Sequence, residues 1–391
     1  MRKHKSDRLI GVLTFILLLA GLIVIYAIGP MRVNFMNAAY NQNLDTNHFF
    51  KKQLISVALS IVAFIVAFKF PYEKIRIFSK WILRLGLVAC AALAILAMAG
   101  SSMAICQYGA CRWVSLGGIG SFQPVELLKL GLVLYLAQLA AERKKTGKID
   151  KSDFFLPLIL VSGLSLFFVI VAQKDLGSGV VLMGIIFAIV WTSGVKLKAM
   201  AVGVGAALVG ALLLIVTSPH RMERVMTFFN SDGADTYHIE NAEIAVGTGG
   251  LFGVGIGNSV QATGYLPESI NDSVFAVMGE IFGFVGLMAV VGCFMVLLMR
   301  IIKIADLGGE EEHSLVAAGV FGWVAVQMVT NVMAMIGLIP LTGITLPLLS
   351  FGGTSMVFVA VALGICLQLS CYTRRENSIK QISKPGDGRR L

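Results

Sequence analysis

The chain has 391 residues, of which 57% are hydrophobic and 14% charged, where an ordinary soluble domain carries roughly 25% charged residues. Apolar runs long enough to cross a hydrocarbon core of about 30 Å recur from Leu9 to Cys371, which excludes a soluble fold. The formal net charge of +10 does not signal nucleic acid, because the basic residues sit in short loops between apolar runs with no aromatic side chains interleaved among them.

The pattern predicts an all-α polytopic membrane protein of about ten transmembrane helices, near 9–29, 53–70, 81–100, 122–141, 154–173, 176–194, 198–217, 273–299, 314–338 and 352–371. Residues 1–8 form a basic amino end, and the first apolar run is longer than a signal-peptide core and lacks a clear cleavage site, so it reads as a retained span. Lysines and arginines concentrate in the amino end, 69–84, 143–151, 196–198, 300–303 and the tail 372–391. Cytoplasmic loops retain such residues during insertion, so both termini are expected in the cytoplasm.

Cys90, Cys293, Cys366 and Cys371 fall in or at the ends of spans as small packing residues, whereas Cys106 and Cys111 share one outer loop, where a disulfide or two free thiols would fit. No zinc spacing and no paired-histidine pattern occurs. Arg112, Arg221 and Arg224 lie on the outer side, either as phosphate ligands or as ordinary exposed arginines. Glu126 and Lys129 stand i, i+3 on the fourth helix, so they form either a structural ion pair or part of an outward polar cavity. Asp175 sits in a tight turn and reads as a cap.

The outer loop from Ser218 to Asp272, between helices seven and eight, is much longer than ordinary connections. It carries a glycine run from Gly247 to Gly257 that lacks the preceding strand a dinucleotide site needs, so no nucleotide is expected. Asp272 closes this loop at the mouth of helix eight, where it suits a helix cap and a general base equally. Glu280, two turns deeper, needs a partner or a proton, and Lys129 is one candidate partner. The Pro/Gly-rich stretch from Pro340 to Gly353 reads as a partly re-entrant connection.

Three ordered segments resemble the SEDS family (shape, elongation, division and sporulation) of membrane peptidoglycan polymerases over nearly the whole chain. They are Arg112-Trp113 with Gln123-Pro124-x-Glu126-x-x-Lys129; Gly249 to Ser259 continuing through Tyr265-Leu-Pro-Glu268 to Asp272 and Glu280; and Asn331 with Gly337 to Ser355, which includes Ser350. The wording of Gly255 to Gln261 is nearer the division-type members than the elongation type. His238, Ile281, Ile270-Asn271, Ala262 and Ser121 depart from common family wording.

The resemblance implies a glycosyltransferase in the bacterial cytoplasmic membrane that polymerises lipid II on the outer face during division. Asp272 would be the general base for the acceptor 4-hydroxyl, with inversion at the anomeric carbon and loss of undecaprenyl pyrophosphate from the growing glycan. Glu126, Lys129, Glu280, Gln123 and Ser350 would support the site, and Arg112, Arg221 and Arg224 would meet phosphate. A divalent cation, magnesium or manganese, would assist the pyrophosphate, although no metal ligands are identifiable. A class B penicillin-binding protein and other division proteins are the expected partners. The rival readings are a lipid II flippase or transporter, an elongation-type polymerase, and a scaffold that recruits division partners.

Overall fold

The computed structural model describes residues 5–107, 109–117, 120–217, 222, 226 and 234–373. In chain order the elements are α1 (Arg8–Tyr40), α2 (His48–Lys69), α3 (Tyr72–Met98), β1 (Ala104–Gln107), β2 (Ala110–Ser115), β3 (Ser121–Phe122) and α4 (Pro124–Lys145). There follow α5 (Ser152–Leu166) with a π-helical extension Phe167–Ala172, α6 (Leu176–Ser193), α7 (Leu197–Val216), α8 (Ala234–Thr248), α9 (Val274–Leu307), α10 (Glu311–Met335) and α11 (Gly353–Leu369). Among the described residues, nine helices are long and apolar enough to cross a membrane. The expected seventh span is also helical, as the 20-residue α7.

Local chemistry sets the ends. Asp7 caps α1 by accepting from Leu9 N at 3.2 Å, and Asn41 ends it in the left-handed region at φ 50°. Helix α4 opens with Pro124, whose missing N–H costs nothing there, and with Glu126 in its first turn, and it closes on Arg143, Lys144 and Lys145, so charges suit the dipole at both ends. Side-chain burial is greatest in α4, α10 and α11, which form the centre of the bundle. Helices α2, α3 and α5 leave much apolar surface outward, as lipid-facing helices do. Close helix contact is made by small residues: a Cβ on Gly86 of α3 would lie 2.7 Å from the Leu128 Cα of α4, so only glycine allows that approach.

Helix α1 runs to Tyr40 rather than to 29 and α3 begins at Tyr72 rather than 81, and three further features depart from the predicted layout. The segment between α3 and α4 folds as an antiparallel sheet in the order β1-β2-β3, with Ile105 opposite Trp113 and Val114 opposite Phe122. Cys106 and Cys111 face each other in it and are joined as a disulfide. The long loop is not irregular throughout, since it contains α8 and a short 3₁₀ turn at Gln261–Thr263. Helix α9 also extends well past the predicted end and breaks its helical geometry at Gly283, with φ 66°.

The break is filled by the glycine run. Phe284 N donates to Gly250 O at 2.9 Å and Val285 N to Leu251 O at 3.1 Å, while Val254 N donates to Glu280 O at 2.9 Å and Gly255 N to Ile281 O at 3.1 Å. Backbone groups freed by the kink thus find partners inside the protein, which a low-dielectric surrounding demands. The 340s stretch is non-helical and largely buried. It packs at Gly21, midway along α1, where a Cβ would lie 2.6 Å from Leu349 O, so it runs beside that helix as a re-entrant connection does.

Candidate functional site

A cavity of about 630 Å³ opens at the end of the bundle that carries the β-sheet. Its walls come from five separated pieces of sequence: Ile105, Gln107, Arg112 and Trp113 of the sheet; Ser121 and Gln123 before α4; Tyr237 and His238 of α8; and two stretches, Pro267 to Asp272 and Leu341 to Ser355. These pieces are tied together by hydrogen bonds rather than by packing alone. Asn331 of α10 donates from Nδ2 to Asp272 O at 2.7 Å and to Ile344 O at 2.8 Å. Phe351 N donates to Ile270 O at 2.8 Å, and Thr354 Oγ1 donates to Ser121 O at 3.0 Å.

Asp272 is the acid that this frame holds. It is partly exposed to the cavity, immediately before α9. Burial pushes its carboxyl from the ordinary 3.8 up to about 7, the neighbouring Glu268 carboxylate pushes the same way, and the Arg112 guanidinium opposes both. The backbone N–H groups of Asp272 and Ser273 also favour the charged form. A carboxyl poised there exchanges a proton near neutral pH. Ser273 makes no side-chain cap on α9; its hydroxyl lies 2.9 Å from Pro267 O, 2.6 Å from His238 Nε2 and 3.5 Å from Asp272 Oδ1.

Arg112 is the cation at this site. Its Nε stands 3.5 Å from Asp175 Oδ1, and its Nη1 donates to Gly343 O at 3.2 Å. Asp175 does cap α6, accepting from Ser178 N at 3.1 Å and from Ser178 Oγ at 2.7 Å, and it also orients the arginine. Gln123 lines the cavity, and its side chain is not spent as a helix cap.

Other expected site residues lie elsewhere. Glu126 and Lys129 do not line the cavity; they form a buried pair at 2.7 Å, with Lys129 Nζ also 4.8 Å from the Trp323 ring centre. Glu280 is not paired with Lys129. Its carboxylate accepts from Ser259 Oγ at 2.5 Å, Val260 N at 2.8 Å and Gln261 N at 3.3 Å, so it fastens the end of the glycine run to α9. Ser350 does not line the cavity either: its Oγ accepts from Leu346 N at 2.8 Å and closes a turn next to the cavity-lining Phe351. Arg221 and Arg224 lie outside the described residues.

Glu268, Asn271, Tyr237 and Thr345 also line the cavity, beyond the site residues expected from the sequence. Glu268 was detectable, as the nearest acid before Asp272, and it accepts from Asn271 Nδ2. Tyr237 carries no sequence signal, because the mixed polar and apolar residues of Ala234–Thr248 show no helical periodicity. For a divalent cation, no group of three His, Cys, Asp or Glu side chains is suitably placed among the described residues. Asp272 and Glu268 are nonetheless two carboxylates on one cavity, close enough for the Glu268 charge to raise the proton affinity of Asp272. That donor set fits magnesium, which commonly takes one or two carboxylates together with substrate phosphates and water.

The fold is shared with solved structures. A chain from a peptidoglycan synthase complex, described as structurally coordinating polymerization and crosslinking, matches with a TM-score of 0.72 at 23% identity, covering 93% of this chain and 97% of that one. The rod shape determining protein RodA of Thermus thermophilus matches with a TM-score of 0.66 at 22% identity, covering 94% and 96%. In sequence, the chain is 32% identical to stage V sporulation protein E of Bacillus subtilis (strain 168), over 95% of this chain and 99% of the relative. It is 33% identical to a probable peptidoglycan glycosyltransferase FtsW of Nitrosomonas europaea, over 92% of each. The family model described as cell cycle protein, FtsW/RodA/SpoVE, matches residues 7–375, and the chain belongs to that family.

Proposed function

We propose that this protein is a peptidoglycan glycosyltransferase that polymerises lipid II, with Asp272 as general base. The observation that carries the reading is Asp272 itself, an acid held near neutral proton affinity on a cavity beside one arginine, in a family whose relatives include proteins named peptidoglycan glycosyltransferase. The acceptor sugar's 4-hydroxyl gives its proton to the Asp272 carboxylate as its oxygen forms the bond to the anomeric carbon of the growing glycan. The bond from that carbon to the lipid pyrophosphate breaks on the opposite face, so configuration inverts. Arg112, held by Asp175 and Gly343 O, faces the charge that develops on the leaving group. Glu268, with substrate phosphates and water, would hold a magnesium or manganese ion beside Asp272, and when bound it would supply further neutralisation of the pyrophosphate while the Asp272 carboxylate stays free to take the proton.

The polarity of the chain supports placing the cavity on the outer face. Helix α4 starts at the cavity with Gln123 and ends on Arg143, Lys144 and Lys145, so the basic loops gather at the opposite end. Both termini then belong to the cytoplasmic side. A flippase needs a path between two faces, whereas the residues lining this cavity come from one end of the bundle. The division subtype is supported by relatives named FtsW. A class B penicillin-binding protein is the proposed partner, in keeping with the structural neighbour from a complex that couples polymerization to crosslinking.

The deciding experiment is gel-resolved polymerisation of labelled lipid II by purified protein, with and without such a partner inactive as a glycosyltransferase. Wild-type protein should yield glycan ladders, and Asp272→Asn should lower the rate by about 10²–10⁴-fold, the usual worth of a positioned base. Ladders of undiminished intensity from the variant would remove Asp272 from the chemistry.

A further inference from the structure

The face of α10 that meets the buried 340s stretch carries Trp323, Gln327 and Asn331, whose i, i+4, i+8 spacing sets them in one row. Trp323 has 0% of its surface exposed, and Gln327 and Asn331 have 1% each. Trp323 Nε1 donates to Gln327 Oε1 at 2.9 Å, and Gln327 Nε2 donates to Thr345 O at 3.0 Å. Asn331 Nδ2 spends its two N–H groups on Ile344 O and Asp272 O, at 2.8 and 2.7 Å. Two amides one turn apart thus grip consecutive carbonyls, and the second carries that grip across to Asp272.

Donor and acceptor chemistry fixes which way these groups face. An indole N–H only donates, so it holds Gln327 Oε1 on its own side and turns the NH2 group towards Thr345 O. A reversed amide would set N–H against N–H and oxygen against oxygen at a buried site, where unpaired polar groups are costly. Thr345 lines the cavity, whereas Trp323 and Gln327 do not. The pair therefore meets the cavity wall from behind, and anything it does for the reaction passes through the backbone it holds.

We propose that Gln327, oriented by Trp323, is a positioning residue for Asp272. By pinning Thr345 O it fixes the adjacent Ile344 carbonyl, and Asn331 ties that carbonyl and Asp272 O to the same nitrogen. The height of the Asp272 backbone at the cavity is thereby set by a row of side chains on the buried α10. A general base displaced by about 1 Å loses up to about 100-fold in rate, so a hold of this kind is read in kcat. Its catalytic consequence rests on the polymerase reading; the hold on the Asp272 segment does not.

Hydrogen–deuterium exchange and lipid II polymerisation, both on the purified full chain, test this. In Gln327→Leu the bonded amides of Asn271 and Ser273, which Gln327 does not touch, should exchange about 10-fold faster. In the same variant kcat should fall about 10- to 100-fold with KM for lipid II changed less than about 2-fold. Trp323→Phe keeps a ring beside Lys129 but frees the Gln327 amide; it should move both readings the same way by a smaller factor, and add nothing in the Gln327→Leu background. Thermal unfolding checks each fold, and Trp323→Phe decides alone should Gln327→Leu not fold. Faster exchange confined to residues 341–351, an unchanged kcat in a folded variant, or a loss seen only in KM would overturn the proposal. Wild-type protein that makes no glycan would remove the polymerase reading, and the exchange of Asn271 and Ser273 would then uphold or overturn the hold by itself.

Discussion

Asp272 must be ionised before it can accept a proton. With its carboxyl at about 7, kcat/KM for polymerisation should rise through a limb centred near pH 7 and level off above it. The two side chains that tune the acid should move that limb in opposite directions. Glu268→Gln removes a like charge and should shift it to lower pH, while Arg112→Gln removes the opposing cation and should shift it higher, with a raised KM for the pyrophosphate substrate. Rate profiles of the two variants that coincide with the wild type would show that another group sets the limb. The same shift bears on stability. A carboxyl whose folded value stands above its ordinary 3.8 takes up a proton on folding between about pH 4 and pH 7, so its contribution declines as pH rises through that window. Asp272→Asn, which needs no ionisation, should therefore melt no lower than wild type at pH 8, and lose activity without losing its fold.

At the scale of elements, the sheet between α3 and α4 determines where Arg112 sits. Residue 111 is pinned twice, by the disulfide to Cys106 and by its N–H donating to Gln173 O at 3.1 Å; Arg112 follows directly. Opening the disulfide should loosen that cation without disturbing the bundle. Cys106→Ser with Cys111→Ser, or mild reductant on the wild type, is expected to raise KM about 3- to 10-fold at a nearly unchanged melting temperature, read by polymerisation at varied lipid II; the estimate is that of one weakened charge-assisted contact. A KM unaffected by both treatments would mean the sheet holds its shape unaided. The kink in α9 makes a different demand. A Cβ at Gly283 would overlap Gly253 N and Leu251 O, and φ there is 66°, so Gly283→Ala should cost about 1–3 kcal/mol or more through strain and displaced backbone pairing. Differential scanning fluorimetry should show this as a lower melting temperature. Sequence periodicity reveals spans because lipid imposes a uniform apolar requirement along each, which is why all ten helices fall where the apolar runs lie. It does not reveal the sheet or α8, whose side chains face protein and solvent in no regular alternation, nor the Gly283 break, which depends on a loop 30 residues upstream in sequence. Asp272, Arg112 and Gln123 stand out in the sequence because polar groups at the ends of spans are costly without a purpose, and all three line the cavity; Glu280 and Ser350 carry the same signal but lie off the cavity, where Glu280 accepts from Ser259 Oγ and Val260 N and Ser350 Oγ accepts from Leu346 N.

For the molecule as a whole, the most buried helices are α4, α10 and α11, and the charges at their centre decide how the bundle tolerates its own polarity. Lys129 is almost completely buried between Glu126 on its own helix and Trp323 on α10, so one ammonium satisfies a carboxylate and an aromatic face at once. Neither charge lines the cavity, so the pair's first demand is on the stability of the bundle. Removing one partner should leave the other ionised in a low dielectric at a cost of about 3–5 kcal/mol, whereas removing both replaces a desolvated pair by neutral groups of similar volume and recovers much of that loss. Lys129→Met should therefore melt well below wild type, and Glu126→Gln combined with Lys129→Met should melt closer to it, since a methionine thioether also packs favourably on the Trp323 ring. Thermal unfolding of the single and double variants in the same detergent, beside lipid II polymerisation by whatever remains folded, separates the two roles. A double variant as unstable as the single would deny the pairing, and a stable Lys129→Met protein that makes no glycan would return the lysine to the chemistry.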